Sequence, residues 1–214
     1  MMKWFPRQVN LLVILLIAAL ILPAVIRSPF VLHVIVLLYV YVILTDALNF
    51  VTGFAGQLAL GIAAFVTIGG YTGALLMLNR DWPFWTALIA GGVVAFASGL
   101  FLGLLSLRLR GDYLGMVTLG FSEIIRIVAI NLVEVTRGPM GLPGIPRPKI
   151  FGYTFSGEIP YYYLVLALVI FVHFTIERML FSRFGRACLA IRDDEAAASA
   201  MGIEVYQYKV LAFC

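Results

Sequence analysis

Along the chain, long unbroken apolar runs alternate with short polar punctuation. A helix of about 20 apolar residues spans the hydrocarbon core of a bilayer. Runs near that length fall at residues 9–26, 30–48, 58–78, 84–107, 113–133 and 161–176. The third and fourth carry no charge, and the fifth carries Glu123 and Arg126. The first run follows Lys3 and Arg7, as a signal peptide would. Yet no small-x-small cleavage site follows it, and Arg27-Ser28-Pro29 leads straight into the next run, so it reads as a retained helix. A seventh run starts at Lys209 and has only one turn by Cys214, so the chain reads as C-terminally truncated. The pattern predicts an all-α, polytopic membrane protein. It is a single domain over residues 1–214, a bundle of at least six transmembrane helices with the start of a seventh.

Composition narrows the class. Hydrophobic residues make up 63% of the chain and charged residues 12%. Soluble domains carry about 25% charged residues, so this chain has too little charge to wet a globular surface and would aggregate in water. The basic residues are scattered, not interleaved with aromatics, which argues against a nucleic-acid surface. Their distribution sets the orientation. With the N-terminus inside, the cytoplasmic segments hold Lys3, Arg7, Arg108, Arg110, Arg178, Arg183, Arg186, Arg192 and Lys209, and the outer ones Arg27, Arg80, Arg137, Arg147 and Lys149. Nine against five favours that orientation. Trp82, Trp85 and Tyr161 to Tyr163 fall at the expected interfaces. Cys188 and Cys214 have no metal-type spacing and read as ordinary small residues.

One stretch breaks the apolar pattern. AIRDDEAAASAMGI, from position 190, sets Arg192, Asp193, Asp194 and Glu195 side by side ahead of alanines and Gly202. Asp193 and Asp194 can cap a helix start, because their carboxylates accept orphan backbone N–H groups. Alanine favours helix and Gly202 supplies a left-handed stop. The result is a helix of about two turns, too short to persist alone in water. It lies within a loop over residues 182–208. Its exposed side is acidic and small, unlike the Lys-rich, bulky faces that lie on lipid headgroups. Small side chains with a charged rim suit insertion into a partner's groove.

Other stretches are less specific. Residues 49–57 are uncharged and glycine-containing, between two apolar runs. They read either as a plain cytoplasmic turn or as a break in the helix that contributes Asn49, Thr52 and Gln57 to a translocation path. Gly69-x-x-x-Gly73 and Gly99-x-x-x-Gly103 allow helix backbones to approach closely. Glu123 and Arg126 share a helix face and read as an intramembrane ion pair facing the protein interior or water, with a proton relay as the alternative. Residues 134–160, rich in Gly and Pro, resist regular structure. His33 and His173 read as buried histidines in apolar spans. No paired catalytic carboxylates, Cys/His site or metal cluster sits at a membrane face, so the chain does not read as an enzyme.

Several blocks carry a resemblance. LNFVTGFAGQLALGIAAFVTIGGYTGALL (48–76), RLRGDYLGMVTLGFSEIIRIV (108–128), TRGPMGLPGIPRP (136–148) and GRACLAIRDDEAAASAMGIEVYQYKVLAF (185–213) resemble, in order, the LivM-type permeases of branched-chain amino acid importers of the ATP-binding-cassette class. The general importer pattern, EAA followed by three residues and glycine, is met loosely, since four residues separate Ala197 from Gly202. The resemblance implies a permease subunit of a prokaryotic inner membrane whose short cytoplasmic coupling helix is gripped by separate ATPases. No phosphate-binding loop of the G-x-x-x-x-G-K-[ST] type occurs, so ATP would be bound by partner subunits and this chain would need no cofactor. Arg192, Asp193, Asp194 and Glu195 would register the helix on the ATPase, while Ala197, Ala198 and Gly202 would permit close approach. A related second permease would complete a heterodimer. An extracytoplasmic substrate-binding protein would dock outside, with residues 134–160 as its contact or as a rigid connection. Leucine, isoleucine or valine is the implied cargo. Urea or short amides, and a secondary transporter coupled through Glu123 and Arg126, are the alternatives.

Overall fold

The computed structural model describes residues 16–24, 26, 28–106, 112–150, 153–155 and 157–213. Lys3, Arg7, Arg27, Arg108, Arg110, Cys214 and the first part of the first apolar run lie outside the described residues. Among the described residues the regular structure is helical apart from one pair of two-residue strands. The helices are α1 (16–24), α2 (Pro29–Asn49), α3 (Ile62–Arg80), α4 (Phe84–Ser106), α5 (Asp112–Asn131), α6 (Val133–Thr136), α7 (Glu158–Phe181), α8 (Arg183–Asp193), α9 (Glu195–Ala200) and α10 (Val205–Phe213). Among the described residues, five helical segments are long and apolar enough to cross a membrane: Pro29–Phe54, Ile62–Arg80, Phe84–Leu104, Tyr113–Asn131 and Glu158–Phe181. The second apolar run is longer than its composition predicts, because α2 continues into a π-helix, Phe50–Phe54. α7 likewise extends to both sides of residues 161–176.

The chain divides into two compact units. The smaller comprises Met1–Ile43 and Phe155–Val172. Its core joins Leu32 and Val36 of α2 to Tyr162, Val165 and Leu166 of α7. Tyr162 is fully buried within the chain. Its hydroxyl donates to the Ala19 carbonyl of α1 at 2.7 Å and stands 2.7 Å from the Tyr39 hydroxyl. With its single hydrogen spent on Ala19, Tyr162 must accept from Tyr39. Tyr163 donates to the Leu20 carbonyl at 3.0 Å. Two tyrosines therefore hold α1 through backbone carbonyls, and that of Ala19 stands four residues before Pro23, which has no N–H to offer it.

The larger unit comprises Leu44–Thr154 and His173–Cys214. α3 and α4 form a hairpin whose turn places Asp81 in the left-handed region, φ 51°. Small residues meet along it: a Cβ on Gly91 would stand 2.6 Å from the Gly69 carbonyl oxygen, and one on Gly73 3.4 Å from that of Ala87. Close backbone approach is how helices pack in lipid, where apolar burial gives no advantage over hydrocarbon. α5 holds the segment leading into α3 through Thr118, whose hydroxyl accepts from Leu60 N–H and donates to the Gly115 carbonyl, both at 3.0 Å. Residues 134–160 hold more order than their composition predicts. α6 leads into a 3-10 turn, Gly138–Met140, and Lys149–Ile150 pairs antiparallel with Tyr153–Thr154. Trp85 at the start of α4 donates to the Lys149 carbonyl at 3.0 Å.

Candidate functional site

α8 through α10 form the most polar part of the described chain. Ser182 starts α8: its hydroxyl accepts from Gly185 N–H at 3.3 Å. One face of α8 is dry, with Gly185, Ala187, Cys188 and Ile191 buried; the opposite face carries Arg183 and Arg186, while Arg192, one turn after Cys188, lies on the edge of the buried face. Burial pushes the Cys188 thiol pKa up to about 11. The helix stops because Asp194 adopts extended backbone, φ −158° and ψ 109°.

That break is also the start of α9. Asp194 Oδ1 accepts from Ala196 N–H at 2.8 Å and Ala197 N–H at 3.0 Å, satisfying two orphan donors. Asp193 caps nothing; it ends α8, and its Oδ1 accepts from Arg192 Nη2 at 3.0 Å and Nε at 3.2 Å. At the far end Gly202 adopts φ +83°. Gly202 N–H donates to the Ser199 carbonyl at 3.0 Å and Ile203 N–H to the Ala198 carbonyl at 3.1 Å. These two bonds form the Schellman arrangement, which needs a left-handed residue at this position. Nothing lies within 4 Å of where a Gly202 Cβ would stand. A larger residue there meets backbone strain, not a neighbour within this chain.

α9 thus presents an exposed knob. Ala197 and Gly202 face outward with Met201, which is 83% exposed, whereas Ala198 is buried on the inner side. Glu195 pairs with Lys209 of α10. The cap and the glycine stop are legible in the sequence; the exposure of Met201 and the use of Lys209 were not found there.

The segment rests on the π-helix and the turn after it. Arg192 Nη1 donates to the Gly53 carbonyl at 2.9 Å. Gly56 has φ +66°, and a Cβ there would meet Arg192 Cγ at 2.6 Å. Gln57 is 5% exposed and its Nε2 donates to the Lys209 carbonyl at 3.0 Å. Phe50 and Ala55 share one cluster with Cys188 and Ala212, and Phe50 stacks on Phe184 at 6.2 Å. Phe50 and Val51 also line an apolar cavity of about 390 Å³, together with residues such as Phe65, Phe96, Met179 and Phe213. Asn49, Thr52 and Gln57 are not among its lining residues. Asn49 is exposed, and the Thr52 hydroxyl is buried with no partner.

Glu123 and Arg126 pair with each other, Nε to Oε2 at 2.9 Å, and their side chains are 49% and 61% exposed. Their own chain does not enclose them. The two histidines differ from expectation, since both are exposed on the surface of the chain. His173 Nδ1 lies 3.0 Å from Asp46 Oδ2, so this pair links α7 to α2 within the larger unit. Sequence spacing held no signal for it. Among the described residues no group of three His, Cys, Asp or Glu could hold a metal ion.

Five apolar membrane-length helices followed by a capped polar segment define a multi-pass membrane protein. Residues 30–214 match the family model of the branched-chain amino acid transport system permease component, and the chain belongs to that family. It is a family of transport permeases, which is not an enzyme class. The chain is 41% identical over 197 residues to the high-affinity branched-chain amino acid transport system permease protein LivM of Escherichia coli, covering 81% of this chain and 46% of the relative. The same values hold for LivM of Salmonella typhimurium. A probable LivM of Methanocaldococcus jannaschii is 28% identical over 127 residues, 58% of this chain and 36% of that protein. The chain spans about half the length of the curated relatives it matches. No solved structure matches it.

Proposed function

We propose that the chain is the membrane-spanning permease part of an ATP-binding-cassette importer that moves branched-chain, hydrophobic amino acids by alternating access. The observation that carries this reading is α9: six residues, capped by Asp194 and closed by Gly202, projecting small side chains from a lipid-embedded bundle. So short a helix persists in water only with its ends satisfied, and here those ends hold a small, exposed outer face in place for a partner. In this reading α9 is the coupling helix and a separate ATPase takes it into a surface cleft. Asp193, Asp194 and Glu195 set its register, and Ala197 and Gly202 let the ATPase approach. Closure of the ATPases rocks the segment and switches access from one side of the membrane to the other.

The N-terminus is cytoplasmic, residues 9–26 form a sixth span, and α10 begins a seventh. The membrane is the inner membrane of a prokaryote. ATP belongs to the partner subunits, and this chain uses no cofactor of its own. A related second permease and an extracytoplasmic binding protein complete the assembly. The unpartnered Thr52 hydroxyl, with Asn49 beside it, is the polar end of the translocation path.

The test is purification of the full assembly from its native membrane, followed by uptake into proteoliposomes. ATP-dependent accumulation of labelled leucine, isoleucine or valine is the expected result. Accumulation of urea or short amides instead would move the cargo assignment. Uptake driven by an ion gradient, with no ATPase bound, would overturn the reading in favour of transport through the Glu123–Arg126 pair.

A further inference from the structure

We infer that Arg192 is a positioning residue that carries the movement of α8 and α9 into the π-helix at the end of α2. The inference rests on the importer reading, but assigns Arg192 an internal task in place of contact with the ATPase. Three observations converge on it. First, the carbonyls in the last turn of a helix have no intrahelical donor, and Arg192 Nη1 supplies one to Gly53 from 139 positions away. A guanidinium also complements the negative end of the helix dipole. Second, the end of α8 is seated directly on the turn: the space above Gly56 is filled by Arg192 itself, with Cα 3.3 Å from where a Cβ would stand. Third, the turn is gripped from α10 as well, through Gln57 and the Lys209 carbonyl, while Lys209 pairs with Glu195 of α9.

The grip matters because of what lies on its other side. Phe50 and Val51 form part of the wall of the 390 Å³ apolar cavity, and Leu211, Ala212 and Phe213 of α10 form another part. Single-turn π segments inside α-helices are frequent at functional sites. A displacement of α9 therefore reaches the cavity wall by two routes, and the Arg192–Gly53 bond is the one that pulls on the π-helix.

The complete assembly with its own ATPases and binding protein provides the test. Arg192→Met should leave the ATPase subunits co-purifying and hydrolysing ATP. The amino acid moved per ATP should fall at least about tenfold, the factor expected for losing a hydrogen bond to a charged group. Arg192→Lys, which keeps a cation within reach, should restore most of it. Unaltered transport per ATP in Arg192→Met overturns the inference. So does loss of the ATPases from the complex, which would put Arg192 at the subunit contact.

A second measurement uses the unsubstituted protein and does not depend on any variant folding. Backbone amides of residues 50–57 should change their hydrogen-exchange rate on nucleotide binding together with those of residues 192–202. No change at 50–57 while 192–202 respond overturns the transmission. Absence of any ATP-dependent transport by the unsubstituted assembly would instead sink the importer reading beneath it.

Discussion

The α3–α4 hairpin and the α8–α10 segment lie in the same unit and are held together by opposite means. The hairpin is apolar on every side and relies on the near contact of backbones, Gly91 against Gly69. α8 to α10 rely on directed polar bonds: Ser182 and Asp194 as caps, the Gly202 stop, Arg192 on Gly53, and Glu195 with Lys209. In lipid, an apolar face gains nothing by being covered by another apolar face, so the gain comes from fit. In water, a helix of six residues has too few internal bonds to persist, so its ends must be satisfied from outside. The contrast separates residues held by backbone fit from residues held by directed polar bonds.

The largest expected effect breaks the hairpin. Gly91→Leu forces a side chain into the Gly69 backbone and should cost about 3 kcal/mol, read as a lower detergent-denaturation midpoint and poor membrane yield. No fall in midpoint would show that the α3–α4 contact is looser than its geometry.

The dry face of α8 gives the next test. Each unit of thiol pKa changes the thiolate fraction tenfold, so at pH 7.5 Cys188 should react with maleimide about a hundredfold more slowly than an unshifted cysteine. The sign for stability follows: the folded state keeps the proton longer. This contribution is full below the ordinary thiol value of about 9 and is lost as pH rises towards the folded-state value of about 11. Rapid labelling of Cys188 in the native protein would show that α8 opens from its support.

Smaller changes sharpen the polar side of the contrast. Asp194→Ala should cost about 1 kcal/mol locally, seen as faster exchange of the residue 195–200 amides with the global midpoint unchanged. Asp194→Asn should keep the cap. Removing the Glu195–Lys209 pair by Glu195→Gln should cost about 0.5 kcal/mol, an effect that salt weakens. A cost that is large and independent of salt would mean the pair is sealed from solvent.

Much of this was legible before any fold was known. Five of the apolar runs coincide with helices of membrane-crossing length, and Asp194 and Gly202 announced the ends of α9 through local backbone chemistry. Asp193 misled because two adjacent carboxylates look equally able to cap; only the extended backbone at 194 chooses between them. The π-helix was hidden too, since FVTGF carries no pattern that distinguishes it from a turn. Nor did the sequence show that the Gln57 amide donates to the Lys209 carbonyl of α10.

Composition, run length and end signals pointed to a membrane protein and to the short helix that ends at Gly202, because those properties depend on residues close together along the chain. Which groups meet across the fold was a separate matter. Arg192 on Gly53, Gln57 on Lys209, Tyr162 on Ala19 and His173 on Asp46 each join positions more than a hundred residues apart. A bond of that kind is fixed by how helices stack, and no local pattern encodes the stacking.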